Sequence, residues 1–294
     1  MLDQNLLRKE IEALIRGSVI TISDDVKELM KNAYEKEDNI TGKSMLATMI
    51  DNVEKAEKYK KPVCQSPGYP TVYISFGDKT LPGNIKEIIG ESLVKATEDG
   101  LLRPSIVHPL TRENSGNNSG DGVPNFEFDY IPNQEFLEVI ISFKGCGAEL
   151  GNEVKIMTTP MLGKDLKGLK KFILETVINA GGKPCPPYGI GIGIGGQMDV
   201  AAKLSRKAIS VRPWNDWNED EIYGQGSQGL RLYIENIGGI TEIEGYKVKD
   251  YPYNPSIMWY GQTFNLNITY EKEIAEKTGT VIIHYQDTEG NTIK

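Results

Sequence analysis

NAGGKPCPPYGIGIGIGGQM, residues 179–198, sets the character of the chain. Read backwards from it, Leu169, Phe172, Ile173, Val177 and Ala180 recur at helical spacing, so Lys167–Ala180 is predicted to be a helix. Gly181-Gly182 ends that helix and Pro184 follows, as helix C-termini prefer. Within the stretch, Tyr188–Ile194 reads as a strand with isoleucines on one face and no side chains on the other. A bare strand face lets another backbone or a ligand come close. Gly195-Gly196 then leads into a second helix reaching about Ile209. Helix, strand and helix in such close succession indicate a mixed α/β protein.

The letters Gly191-x-Gly193-x-x-Gly196 also fit a dinucleotide fingerprint. That motif needs its glycines in a turn after the strand, and here they lie within it. The polar, Trp-containing segment 212–228 stands where a second β-run is required, so a nicotinamide site is not expected.

Upstream, residues 2–58 read as three helices. Leu2, Leu6, Leu7, Ile11, Leu14 and Ile15 form the first apolar stripe. Asp24 and Asp25 suit the start of the second helix. Gly42 is expected to precede the third, whose stripe is Met45, Leu46, Met49, Ile50 and Val53. A strand at Thr71–Phe76, a helix through Ile85, Ile88, Ile89 and Leu93, a loop over 111–125 and a strand at Phe136–Phe143 follow. After Gly229 short strands and loops are predicted, with a last strand and a turn in 279–294. The expected fold class is α/β, α+β mixed: N-terminal helices followed by a mixed sheet with helices, as a single domain over 1–294.

The formal net charge of the 294 residues is −8. An acidic surface argues against nucleic acid as a general partner, yet a local basic pocket can still take a small anion. No apolar run approaches a membrane span and no signal peptide is read at the N-terminus, so a cytoplasmic location is expected. Three cysteines and two histidines exclude a disulfide framework and a mainly His-built metal site.

The cysteines sit in unusual settings. Cys64 lies in Pro62-Val63-Cys64-Gln65-Ser66-Pro67-Gly68, and Cys185 has a proline on either side. Rigid flanks aim a sulfur, as a metal ligand requires, although a lone half-buried structural Cys is the commoner case. Cys146 lies in Lys144-Gly145-Cys146-Gly147-Ala148-Glu149, directly after a strand, where glycines and a lysine could clamp a carboxylate. An ordinary glycine turn would give the same letters. A zinc site on these thiolates would want a fourth ligand, for which His108 is the nearest candidate in sequence.

Together, PVCQ-x-x-G (62–68), KG-x-G-x-E (144–149) and the long phrase from Asn179 to Ile209 resemble class I fumarate hydratases and L(+)-tartrate dehydratases. The likeness is to the α subunit, or N-terminal region, of a divergent member, in order from about residue 10 to 210. The resemblance implies a hydro-lyase subunit that hydrates or dehydrates a small hydroxy-dicarboxylate, of fumarate/malate or tartrate type, at a [4Fe–4S] cluster. It further implies cluster ligands at Cys64 and Cys185, and substrate contacts at Gln65, Arg112, Lys144, Gly145 and Gly147. A β-type subunit would complete the site, in a heteromer or homodimer. No general acid or base is assigned.

The departures are specific. Ser66 stands where the family has a substrate-contacting Asp. KGCGAEL replaces KG-x-GSEN. Ile268 occupies the place of the third cluster cysteine, and Ser256 lies near that of a family histidine. Cys146 is the candidate third thiolate, since it puts all three cysteines of the chain in the three matching phrases. The other reading is a paralogue that keeps the fold as a binding or regulatory subunit without a cluster.

Overall fold

The computed structural model describes residues 4–64, 66, 68–80, 83–164, 167–184 and 189–211, together with the backbone of strands at 228–232, 242–243, 246–247 and 282–284. At Cys146 the description covers the backbone only.

The three N-terminal helices form as the stripes predict: α1 (Gln4–Ile20), α2 (Asp24–Lys36) and α3 (Ile40–Tyr59). Asp24 and Asp25 occupy the first turn of α2, where negative charge meets the positive end of the helix dipole. Gly42 lies inside α3 rather than before it. The Asn39 side chain accepts the N–H groups of Thr41 and Gly42, both at 3.0 Å, and so starts the helix earlier than the glycine suggests. On α3, Leu46, Val53 and Ala56 are buried, whereas Met45, one position off their line, is exposed.

The chain forms two compact units. The first takes in Met1–Ser23, Asn52–Lys144 and Gln262–Lys294. It is built on a mixed sheet of order β2-β1-β3-β8, with β1 at Tyr69–Phe76, β2 at Asn125–Tyr130, β3 at Phe136–Lys144 and β8 at Ile282–His284. β1 runs parallel to β2 and antiparallel to β3, and β3 runs antiparallel to β8. Helix α4 (Ile85–Glu98) packs with α1 on one face of this sheet. Val72 and Ile74 of β1, with Val139, Ile141 and Phe143 of β3, meet Leu7, Ile11, Ile15, Ile88, Ile89 and Leu93 there. Each such side chain withdraws apolar area from water, on the order of 1.5–3 kcal/mol per residue. The pairs Arg8–Glu91 and Lys95–Glu12, each at 2.5 Å, tie the outer edges of α1 and α4.

β2 is absent from the expected elements. Its run Asn-Phe-Glu-Phe-Asp-Tyr puts aromatics on one face only, at the edge of the sheet. The Tyr130 hydroxyl donates to the Asp78 carboxylate, and this bond holds the phenol above its ordinary pKa. The predicted tail strand is present as β8 on the opposite edge, while the predicted turn after it lies outside the described residues.

The second unit takes in Asp24–Asp51 and Gly145–Gly261. It holds α5 (Cys146–Glu149), α6 (Thr159–Leu162), α7 (Lys167–Ala180), β4 (Ile190–Ile194), α8 (Met198–Val211), β5 (Gln228–Leu232), β6 (Glu242–Ile243) and β7 (Tyr246–Lys247). β4 pairs antiparallel with β5, and α8 lies against β4. The bare face of β4 serves that packing. A Cβ at Gly191 would stand 2.0 Å from the Ser205 carbonyl oxygen, and one at Gly193 would stand 1.9 Å from that of Ala201. Of the two possible uses of a side-chain-free strand, the observed one is close approach of another backbone.

Candidate active site

Three stretches of the first unit meet at one end of its sheet. β1 begins there and β3 ends there, since Tyr69 pairs with Lys144. β2 begins there too, with Asn125 opposite Thr71. The Cys64 turn precedes β1, the loop 103–124 precedes β2, and Lys144 closes β3. The Tyr69 hydroxyl donates to the Gly122 carbonyl at 2.7 Å, joining the first stretch to the second.

Cys64 is held through its neighbour. The Val63 N–H donates to the Val19 carbonyl at 2.8 Å, and the Asn52 side chain donates to the Val63 carbonyl at 2.9 Å. The half-buried Cys64 sulfur accepts the Ser66 N–H at 3.3 Å. A backbone donor at sulfur favours the thiolate, the form that binds metal. Ser66 thus contributes through its backbone at the position where the family's Asp was expected. Gln65 lies outside the described residues.

Arg112 sits in a loop that is ordered by its polar residues. Asn118 is buried and uses its whole side chain. Its amide donates to Thr97 Oγ1 and the Arg103 carbonyl, each at 3.0 Å, and its oxygen accepts the N–H groups of Ser105 at 3.0 Å and Ile106 at 3.3 Å. The loop is thereby pinned to the end of α4. Asn114 donates to the Pro104 carbonyl at 2.9 Å. Arg112 itself has φ +64°, a left-handed conformation that costs a side-chain-bearing residue energy and persists only where neighbours impose it. Its side chain is exposed, and among the described residues it has no ion pair.

Gly145, Cys146 and Gly147 follow Lys144 into the second unit. A carboxylate clamp or an ordinary glycine turn was expected here; the structure winds the stretch into the single turn α5, with Gly145 as its N-cap. The Ala148 N–H donates to the Gly145 carbonyl at 2.9 Å and the Leu150 N–H to that of Gly147 at 3.1 Å, so these two donors are engaged within the turn. Glu149 pairs with Arg206 of α8 at 2.9 Å, an anchor that the sequence reading did not contain.

Cys185 and Ile268 lie outside the described residues. Among the described residues no three His, Cys, Asp or Glu side chains gather as a metal-holding group. Of the expected ligands Cys64 is described, half-buried with the Ser66 N–H at its sulfur. The zinc candidate His108 has Nδ1 engaged by the N–H groups of Leu110 and Thr111. Asn118 was missed as an organising residue, because in the sequence it reads as an ordinary member of the polar loop 111–125, and His108 was read only as a possible zinc ligand.

Comparison with known proteins gives a consistent picture. The family model described as fumarate hydratase (Fumerase) matches residues 8–240. A Methanocaldococcus jannaschii protein, provisionally named L(+)-tartrate dehydratase subunit alpha, is 44% identical over 257 residues, covering 81% of this chain and 89% of its own. The Escherichia coli K12 L(+)-tartrate dehydratase subunit alpha is 32% identical over 284 residues, covering 94% of this chain and 90% of its own. A Geobacillus stearothermophilus protein, provisionally named class I fumarate hydratase, is 31% identical over 254 residues, which are 82% of this chain but 49% of the longer relative.

Proposed function

The chain belongs to the fumarate hydratase (Fumerase) family, as a protein of its α-subunit type, and on that premise we propose that it is one subunit of a hydro-lyase. Its substrate would be a small hydroxy-dicarboxylate of the fumarate/malate or tartrate type, and a β-type subunit would complete the active site. The observation that carries this reading is the identity to relatives named as L(+)-tartrate dehydratase α subunits over most of both chains. It favours turnover over the cluster-free binding paralogue. No described helix is long and apolar enough to cross a membrane.

The cofactor in this reading is a [4Fe–4S] cluster held by Cys64 and Cys185, with Cys146 as third ligand in place of the lost cysteine at Ile268. When bound, such a cluster supplies an open iron as a Lewis acid toward the substrate's hydroxyl and carboxylate oxygens. The chain's own residues orient the substrate. The planar Arg112 guanidinium pairs bidentately with one carboxylate. Lys144, paired with Tyr69 at the sheet end, adds positive charge, and Gln65, Gly145 and Gly147 offer polar contacts. The Ser66 N–H donates to the Cys64 sulfur, a contact that a metal-bound thiolate can keep.

Iron and acid-labile sulfide, measured per chain after anaerobic purification, test this directly. About four of each are expected, with loss of both in Cys64→Ser and Cys185→Ser. Full retention in Cys146→Ser would remove Cys146 from the ligand set. Protein that stays iron-free after anaerobic reconstitution would overturn the cluster reading.

A further inference from the structure

The His108 side chain makes an unusual pair of contacts. Its Nδ1 accepts two backbone N–H groups, from Leu110 at 3.2 Å and Thr111 at 3.1 Å. The same residue engages the loop with its main chain. Its N–H donates to the Glu113 carbonyl at 2.7 Å, and its carbonyl accepts the Arg112 N–H at 3.0 Å. A bridge between Val107 and Asn114 closes the loop behind it. Four hydrogen bonds from one residue therefore surround Arg112, the position whose φ of +64° requires outside support. Asn118 pins the two ends of the longer loop, but none of its bonds reaches residues 107–114. At the tip Thr111 Oγ1 adds a long 3.4 Å contact from the Glu113 N–H, and the shorter side-chain contacts to backbone N–H groups before Arg112 come from His108.

Accepting two N–H groups at Nδ1 requires that this nitrogen carry no proton, which places the ring proton of neutral imidazole on Nε2. Histidine so used acts as a side-chain acceptor that folds the backbone over itself, a task that Asn performs with its carbonyl oxygen.

We propose that His108 is a positioning residue: its Nδ1 holds the 108–113 loop in the conformation that presents the Arg112 guanidinium to a substrate carboxylate. This rests on the reading of Arg112 as a carboxylate contact. His108 does not touch the reacting atoms. It acts by keeping a strained arginine preorganised, so that its loss weakens substrate capture rather than the chemical step.

The test compares His108→Asn, His108→Phe, Arg112→Ala and the double variant His108→Phe with Arg112→Ala, in the full chain assembled with its β-type partner, assayed on fumarate, L-malate and L(+)-tartrate. Phe keeps a ring but removes the acceptor, and Asn keeps an acceptor without the ring. Removing two backbone acceptor contacts should raise KM about tenfold in His108→Phe, with kcat within about twofold of wild type. His108→Asn should restore the wild-type KM, and His108→Phe should add nothing once Arg112 is Ala. A KM in His108→Asn as high as in His108→Phe overturns the proposal, as does full additivity with Arg112→Ala.

If none of these acids is turned over by wild type, the functional reading fails, and amide exchange still decides the role of His108. The Leu110 and Thr111 amides should exchange slowly in wild type and His108→Asn, and several-fold faster in His108→Phe. Equal exchange in all three would show that His108 does not hold the loop.

Discussion

A Cβ at Gly193 would stand 1.9 Å from the Ala201 carbonyl oxygen and 2.8 Å from its carbon. Both are main-chain atoms of α8, so no side-chain rotation relieves the clash. Gly193→Ala must push the helix off the strand, and it should lower stability by about 3 kcal/mol. Gly90 provides the contrast. It lies inside α4, and a Cβ there would meet nothing within 4 Å. Gly90→Ala should stabilise by about 0.5–1 kcal/mol, because alanine has the higher helix propensity. Urea denaturation of the two variants checks both, and equal midpoints would mean that α8 does not rest on the glycine face of β4. This part of the fold was legible from the alternating glycines alone. What the letters could not say is whether a ligand or a helix uses the bare face, because both demand the same absence of side chains. The carbonyl groups of Ala201 and Ser205 decide it.

Among the elements, the segment 103–124 shows where sequence reading stops. Its Ser, Asn and Gly content marks a loop, and it is one up to the start of β2. Which asparagine matters is invisible in sequence, since Asn114, Asn117 and Asn118 look alike. Burial separates them: Asn118 is 9% exposed and fills four hydrogen bonds, whereas Asn117 is half-buried and its oxygen serves the nearby Ser119. Asn118→Ala leaves the N–H groups of Ser105 and Ile106 without their acceptor and Thr97 without its donor. A loss of about 2 kcal/mol is expected. Asn117→Ala should be near neutral. Thermal unfolding of both variants distinguishes them, and similar shifts would remove Asn118 as the anchor. β2 escaped notice for a related reason. Phe126, Phe128 and Tyr130 alternate with Glu127 and Asp129, yet Phe128 and Tyr130 remain well exposed at the sheet edge, so a simple inside–outside pattern is missing. The helices with buried stripes, α1 and α4, were read closely, because one apolar face against a sheet leaves a strong period in the sequence.

For the whole molecule, the chain's share of its relatives bears on catalysis. It spans about nine-tenths of the L(+)-tartrate dehydratase α subunits it matches, but about half of the longer relative named as a class I fumarate hydratase. The expected site has the same incompleteness. Under the proposed function Arg112 and Lys144 would supply positive charge for a dicarboxylate and Cys64 a metal-binding sulfur, yet no residue of the expected site is assigned as the group that moves the proton when water is added or lost. Hydration requires such a group within hydrogen-bonding reach of the substrate. Under the proposed function that group comes from the β-type partner, which predicts a separation of binding from turnover. The anaerobically purified chain alone should bind a dicarboxylate weakly and turn over neither fumarate nor L(+)-tartrate at a measurable rate. Adding the β-type subunit should produce turnover in step with formation of the complex, followed by activity across a size-exclusion profile. Turnover by the isolated chain would place the proton-transfer group within these 294 residues.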